Sequence, residues 1–384
     1  MKLNSIKYGI KKALLRVIWF FSRTKNRKVV FSSFTGKTYS DNPKAVSEAL
    51  HEIAPELEIV WLSKQAQLDG LPAYAKQVRL DRFFRHYHAL ASARVVVENF
   101  GLSDIPKKKT QRYIQTWHGD RAFKKILYDS PFAHNLFLPE SKPGFCDLAV
   151  AGSDYGEMQY RSAFHYTGEI LKIGTPRDDC LLHADKHLIQ QKMTQLGLSP
   201  KQRYLLYAPT LRRENQQSTK KQAIQKIDIP ATLRAFSSRF GGSWKCLMRA
   251  HPAVCGLTGF EGEADIIDVS AYPDMADLLL VSSALITDYS SCAGDFALLN
   301  RPIILFQPDI NEYLEKDRPL YFAMEDTPYF TAHAQEELEQ IIGAMTPEAA
   351  VSNCAEILRF YGTNETGEAA RALASYIADY CRKQ

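Results

Sequence analysis

The stretch ALITDYSSCAGDFALLNRP, residues 284–302, constrains the fold more than any other part of this chain. An apolar run, Ala284-Leu285-Ile286, enters the turn Thr287-Asp288-Tyr289-Ser290-Ser291, and a helical stretch follows from Gly294. Strand, hydroxyl-rich turn and helix start in immediate succession belong in a parallel sheet wrapped by helices. A helix start carries unpaired N–H groups and a partial positive charge, so it favours phosphate. The serines add donors. Such a turn suits the diphosphate of an activated donor, a nucleotide conjugate being the natural example.

The same alternation runs through the chain. Strands are expected at 28–34, 58–63, 77–80, 93–99, 113–117, 147–152 and 171–174, with a helix at 42–53. After the helix at 183–196 and the stop Gly197-Leu198-Ser199-Pro200, the pattern restarts. Strands are expected at 204–208, 244–249, 266–269, 284–287 and 303–306, and helices at 229–240, 275–281, 294–299, 355–361 and 368–381. The segment 215–226 is polar and reads as a loop. The fold expected is α/β: two Rossmann-like doubly wound domains facing a cleft. The first spans 29–180 and the second 181–355, with closing helices at 356–384. Ligands of such folds lie at the carboxyl ends of the strands, between the halves.

Residues 1–28 read as a separate basic amphipathic helix. Leu3, Ile6, Ile10, Leu14, Val17, Ile18 and Phe21 follow the helical period, and ten Lys or Arg residues precede the first acidic residue, Asp41. This helix reads as associating with an anionic membrane surface, the alternative being docking on its own protein with solvated lysines. The longest apolar run is far too short to span a bilayer. Net charge is only +5, so a wholesale nucleic-acid binder is not implied. Seven scattered cysteines without a CxxC pair suggest neither a zinc site nor a disulfide framework, and a reducing cytoplasm is the simplest compartment.

Four strand ends carry chemistry. Trp117-His118-Gly119-Asp120 ends one strand, and a histidine there can take a proton from a hydroxyl near neutral pH. It can also simply pack or cap. Arg249 and His251 leave another strand on one side, ahead of Pro252, and both could meet a diphosphate. Thr210 and Arg212 end a third strand near the presumed cleft, and Arg177-Asp178 marks a fourth exit that reads as a salt-bridged hinge. Gly152-Ser153-Asp154 is an acceptor-side element or a helix cap, and Asp274 looks like a cap. Asp288 could serve a ribose or a metal, or fix its own turn. No DxD pair, GxxxxGK[ST] loop or GxSxG elbow occurs, so no metal-dependent diphosphate site is evident and P-loop chemistry is disfavoured.

With these motifs in order, TWHG at 116–119, GSDY at 152–155, GTPRDD at 174–179, YAPTLR at 207–212, RAHP at 249–252 and LITDYSS at 285–291, the chain resembles the CDP-glycerol glycerophosphotransferase family, which primes and polymerises teichoic acids. The resemblance spans about 90–325 and continues through DFALLNRPIILF at 295–306. It implies a two-lobed fold of the glycosyltransferase-B kind. It implies transfer of a polyol phosphate from a CDP-activated donor with release of CMP, and no cofactor. His118 matches the histidine assigned as base, and His251 the histidine beside the donor diphosphate. Ser290 and Ser291 match the phosphate-binding turn, with Thr287 and Asp288 in the same motif. Arg249, Thr210 and Arg212 join the donor side, and Trp117, Gly119, Asp120 and Ser153 the acceptor side. Where the family often has HGT, this chain has His118-Gly119-Asp120. The partners implied are a CDP-polyol, a lipid-linked glycan or polyol-phosphate acceptor, and the cytoplasmic face of a membrane. A nucleotide-sugar glycosyltransferase of the same fold and a non-catalytic binder of nucleotide conjugates are the two rival readings.

Overall fold

The computed structural model of the chain describes residues 2–100, 107–131, 146–210, 212, 227–250 and 263–383. Of the sequence expectations, His251 and the loop at 215–226 lie outside the described residues.

Thirteen described strands form two sheets. The first contains β1 (Lys28–Ser32), β2 (Glu58–Ser63), β3 (Lys76–Arg79), β4 (Val95–Glu98), β5 (Arg112–Gln115), β6 (Leu148–Ala151) and β7 (Glu169–Lys172), in the order β3-β2-β1-β4-β5-β6-β7. The second contains β8 (Arg203–Ala208), β9 (Trp244–Met248), β10 (Ile266–Asp268), β11 (Ala284–Thr287), β12 (Ile303–Phe306) and β13 (Phe330–Ala332), in the order β10-β9-β8-β11-β12-β13. Every pairing is parallel. The sequences explain this: β4 (VVVE), β6 (LAVA) and β12 (IILF) are buried throughout and, Glu98 apart, apolar on both faces, as central parallel strands are.

In each sheet the strand order reverses once about a central pair. In the first sheet it reverses at β1 and β4, where Phe31 aligns with Val97. In the second it reverses at β8 and β11, where Ala208 aligns with Thr287. Crevices open at the carboxyl ends of such pairs. TDYSS therefore leaves β11 at the switch point of its sheet, and the Thr287 hydroxyl closes that point by donating to the Ala208 carbonyl at 2.6 Å.

Of the closing helices, Ala369–Arg382 lies on the first lobe: Leu373, Ala374, Ile377, Ala378 and Cys381 pack with Val29, Phe31, Val46, Val95 and Val97. One feature departs from the sequence expectation. The N-terminal helix, Lys2–Phe21, divides its apolar residues between two faces. Leu15 and Trp19 are buried against the first lobe beside Tyr87, whereas Val17, Phe20 and Phe21 stand in solvent. Among the described residues, no helix is long and apolar enough to cross a membrane.

Candidate active site

His118 follows β5 at its carboxyl end. The residue that turns the chain there is Trp117, at φ 51, and the neighbouring Gly119 is not in the left-handed region. Asn42 pays for that strained backbone by donating its Nδ2 to the Thr116 and Trp117 carbonyls at 3.2 and 2.9 Å. The imidazole is half-buried among the rings of Phe34, Phe100 and Trp117. Its Nδ1 lies 2.7 Å from the Asn99 carbonyl. A carbonyl only accepts, so Nδ1 carries the proton and Nε2 of the neutral ring is the acceptor. Burial lowers the imidazole pKa from its ordinary value and Arg177 adds to this, against the Asn99 carbonyl and Asp41. The ring is thus neutral at physiological pH, the state a base requires.

At the β11 switch point of the second lobe, Asp288 is the organiser. Its carboxylate accepts from the Thr210 amide at 2.9 and 3.1 Å, from Arg212 Nη1 at 2.8 Å and from the Tyr289 amide at 2.6 Å. Arg212 in turn holds Asp309 through Nε and Nη2 at 2.8 and 3.1 Å, and its Nη1 donates to the Thr210 hydroxyl at 2.8 Å. Burial opposes the Arg212 charge, but Asp288 and Asp309 outweigh it and hold the pKa above the ordinary value. Thr210, Arg212, Thr287 and Asp288 therefore brace the loops that present Ser290 and Ser291, which stay half-exposed ahead of the short helix Cys292–Phe296. Arg249 Nη1 donates to the carbonyls of Val269, Ser270 and Tyr272, so that part of its guanidinium steadies the loop after β10. Beyond β12 and β13, a cavity of about 420 Å³ is lined by Gln307, Asp309, Asn311, Glu312 and His333. Gln307 donates to the Asp288 carbonyl at 2.8 Å, which sets this hollow beside the turn.

Asp120 and Ser153, assigned to the acceptor side from sequence, are bound to each other. The Ser153 hydroxyl donates to Asp120 at 2.6 Å and accepts from the Gly156 amide at 2.8 Å, capping the helix Asp154–Ser162. Gly156 is required here, since a Cβ would fall 1.8 Å from Asp120 Oδ1.

The two sides meet through buried charge. Arg177 donates to Asp295 at 2.8 Å and lies 3.5 Å from Asp41. Arg121 is fully buried and reaches Asp178 at 3.0 Å, Asp295 at 2.6 Å and Glu365. Gly294 makes room, because a Cβ there would meet the Arg121 side chain at 2.7 Å. Burial and the neighbouring Asp295 push Asp178 up. The salt-bridged hinge expected at Arg177-Asp178 is therefore part of a larger knot that joins the lobes. Sequence reasoning missed Asp41, Asn99, Arg121, Lys124 and Asp295 as site residues; Arg121 and Lys124 stand just past TWHGD, and Asp295 opens the DFALLNRPIILF stretch after TDYSS, but Asp41 and Asn99 belong to no recognised motif. Among the described residues, no cluster of His, Cys, Asp and Glu is arranged to hold a metal ion.

This architecture has close counterparts. The profile of the CDP-Glycerol:Poly(glycerophosphate) glycerophosphotransferase family matches residues 14–363, and the chain belongs to that family. It is 33% identical over 321 residues to the teichoic acid poly(glycerol phosphate) polymerase of Staphylococcus epidermidis, and 34% over 322 residues to that of Bacillus subtilis. These matches cover 79% and 78% of this chain but only 43% and 41% of the polymerases, so it spans less than half their length. The teichoic acid glycerol-phosphate transferase of Staphylococcus aureus is 30% identical, covering 83% of this chain and 84% of its own. The structure of the wall teichoic acid polymerase TagF superposes with a TM-score of 0.83 at 26% identity, covering all of this chain and 96% of that one, and TagF variants soaked with CDPG are equally similar.

Proposed function

We propose that the protein transfers glycerol phosphate from CDP-glycerol to a hydroxyl of a teichoic-acid-type acceptor and releases CMP. The observation that carries this reading is the fixed imidazole of His118, with Nε2 as its proton acceptor, at the end of a sheet that a buried ion network ties to the TDYSS turn. In this mechanism, Nε2 takes the proton of the acceptor hydroxyl. The oxygen forms its bond to the β-phosphorus of the donor. The bond from that phosphorus to the bridging oxygen breaks, and the electron pair leaves with CMP. Ser290, Ser291 and the amides of the turn bind the phosphates, while Thr210, Arg212, Thr287 and Asp288 hold the turn in shape. Arg249 and His251 flank the donor, Trp117 and Gly119 shape the surroundings of the base, and Asp120 with Ser153 supports the acceptor side. Lys124 supplies a cation, as argued below. The acceptor is lipid-linked, and the exposed apolar edge of the N-terminal helix, with Lys11 and Arg16, rests on the inner membrane surface.

His118→Ala with CDP-glycerol and an acceptor tests this. Turnover falls about 10²–10⁴-fold while CDP still binds. Phosphorus NMR of the parent reaction shows CMP and a new phosphodiester. A nucleoside diphosphate and a glycoside, full turnover by the variant, or lost CDP binding in a folded variant would overturn the reading.

A further inference from the structure

Asp41 opens the helix Asp41–Ile53 with φ at 64, a left-handed conformation that Asp and Asn tolerate better than other residues with side chains. What it holds there is the surroundings of the base. Its Oδ1 accepts from the Asn42 amide at 2.8 Å and from Asn99 Nδ2 at 2.9 Å. Asn99 accepts from the Phe34 amide at 2.8 Å through its Oδ1, and its main-chain carbonyl receives His118 Nδ1. On its other side, Asp41 Oδ2 faces Arg177 at 3.5 Å, and Arg177 reaches Asp295 in the helix that follows Ser291. Polar contacts therefore run unbroken from the imidazole to the helix behind the donor turn.

We propose that Asp41 and Asn99 are positioning residues for His118, and that Arg177 couples their arrangement to the donor-side helix. The base is then aimed by the same contacts that set the lobes against each other. This rests on the reading of His118 as the base. The competing view is that Asp41 only begins its helix. The two differ in one respect: a positioning carboxylate acts on the ring's proton, and a helix start does not. Among the described residues, Asp41 and Arg177 are the charged groups that act on the imidazole, with opposite signs, beside the Asn99 carbonyl and the rings of Phe34, Phe100 and Trp117.

Asp41→Asn is the decisive variant, because Asn is at ease at this backbone angle and its Oδ1 can keep the bonds from the Asn42 amide and Asn99, while the charge and the acceptor facing Arg177 are removed. The ring pKa, read by NMR titration of His118, falls by about half to one unit when the Asp41 charge that raises it is lost. The acid limb of the kcat/KM profile moves to lower pH by the same amount, and the donor KM stays within twofold. Asp41→Gly is equally at ease, and it also removes the anchor of Asn99. It shows the same shift together with a further loss of about tenfold or more in kcat. Thermal unfolding verifies that each variant is folded. An unmoved ring titration in either folded variant overturns the proposal, as does a loss of kcat matched by an equal loss of donor affinity. If instead the titration moves as expected while His118→Ala keeps full turnover, the geometry stands and the assignment of the base falls.

Discussion

Lys124 shows how much one side chain can hide. Residues 123–125 pair antiparallel with 319–321: Lys124 bridges Leu320, Lys125 N donates to Pro319 at 2.9 Å, and Tyr321 N donates to Phe123 at 2.8 Å. A lysine of the first lobe is thereby sewn onto the second. Its ammonium lies 5.9 Å from the Tyr313 ring, and it makes no ion pair or hydrogen bond among the described residues. Burial lowers its pKa to about 8; Asp288 resists this, and Arg318 and Arg212 add to it. The group is charged at neutral pH and loses its proton as pH rises through that value. If it neutralises the donor phosphates, kcat/KM for CDP-glycerol declines above about pH 8. Lys124→Arg then carries the plateau to higher pH, and Lys124→Ala costs about 10²-fold. A Lys124→Ala enzyme within threefold of the parent would remove Lys124 from the site. Nothing in the pair Lys124-Lys125 tells which lysine points where, because the choice is made by a pairing nearly two hundred residues away in sequence.

At the scale of elements, the sequence was most legible where burial is complete. The strands Glu58–Ser63, Ala284–Thr287 and Ile303–Phe306 and the helices Ile229–Phe240 and Met275–Val281 have the expected bounds. Three of these runs end at Asp288, at Pro308-Asp309 and at Gly241-Gly242, and Met275–Val281 begins at Pro273-Asp274, signals that leave little choice. The helix Phe83–Ser92 was not foreseen: it starts at Arg82 without a side-chain cap. Nor was β13, three residues long and set only by pairing with β12. The N-terminal helix was legible as a helix, but its orientation was not, since Leu15 and Trp19 compete with Val17 and Phe21 for the core. Phe20 and Phe21 remain 83% and 77% exposed, which is costly unless something covers them. Replacing both with Ser leaves turnover of a water-soluble acceptor analogue intact. It weakens partitioning onto phosphatidylglycerol-containing vesicles at least tenfold, since each buried aromatic contributes about 1.5–3 kcal/mol. Equal partitioning of the parent and the double variant in a sedimentation assay would exclude this face as the docking edge.

At the scale of the whole molecule, the cleft could be foreseen from the repeat of the strand pattern, but the clasp across it could not. Arg121 pairs with Asp178, Asp295 and Glu365 across 57, 174 and 244 residues, and no periodicity announces such partners. Two guanidiniums and several carboxylates share one buried interior, so removing one cation strands the acids. Arg121→Met is expected to lower stability by about 3–5 kcal/mol in urea unfolding, the usual consequence of breaking a buried ion network from one side. A loss below about 1 kcal/mol would mean that apolar packing alone holds the lobes together.

The helix Ala369–Arg382 carries a consequence for how the molecule is made. It covers one side of a sheet whose last strand, β7, ends at Lys172, so the lid of the first lobe is encoded almost two hundred residues after the lobe itself. At ribosomal speeds of about 5–20 residues per second, the faces of Val29, Phe31 and Val97 wait about 10–40 s for their cover. During synthesis, the first half to be born is the last to be sealed, and a chaperone would find its client there.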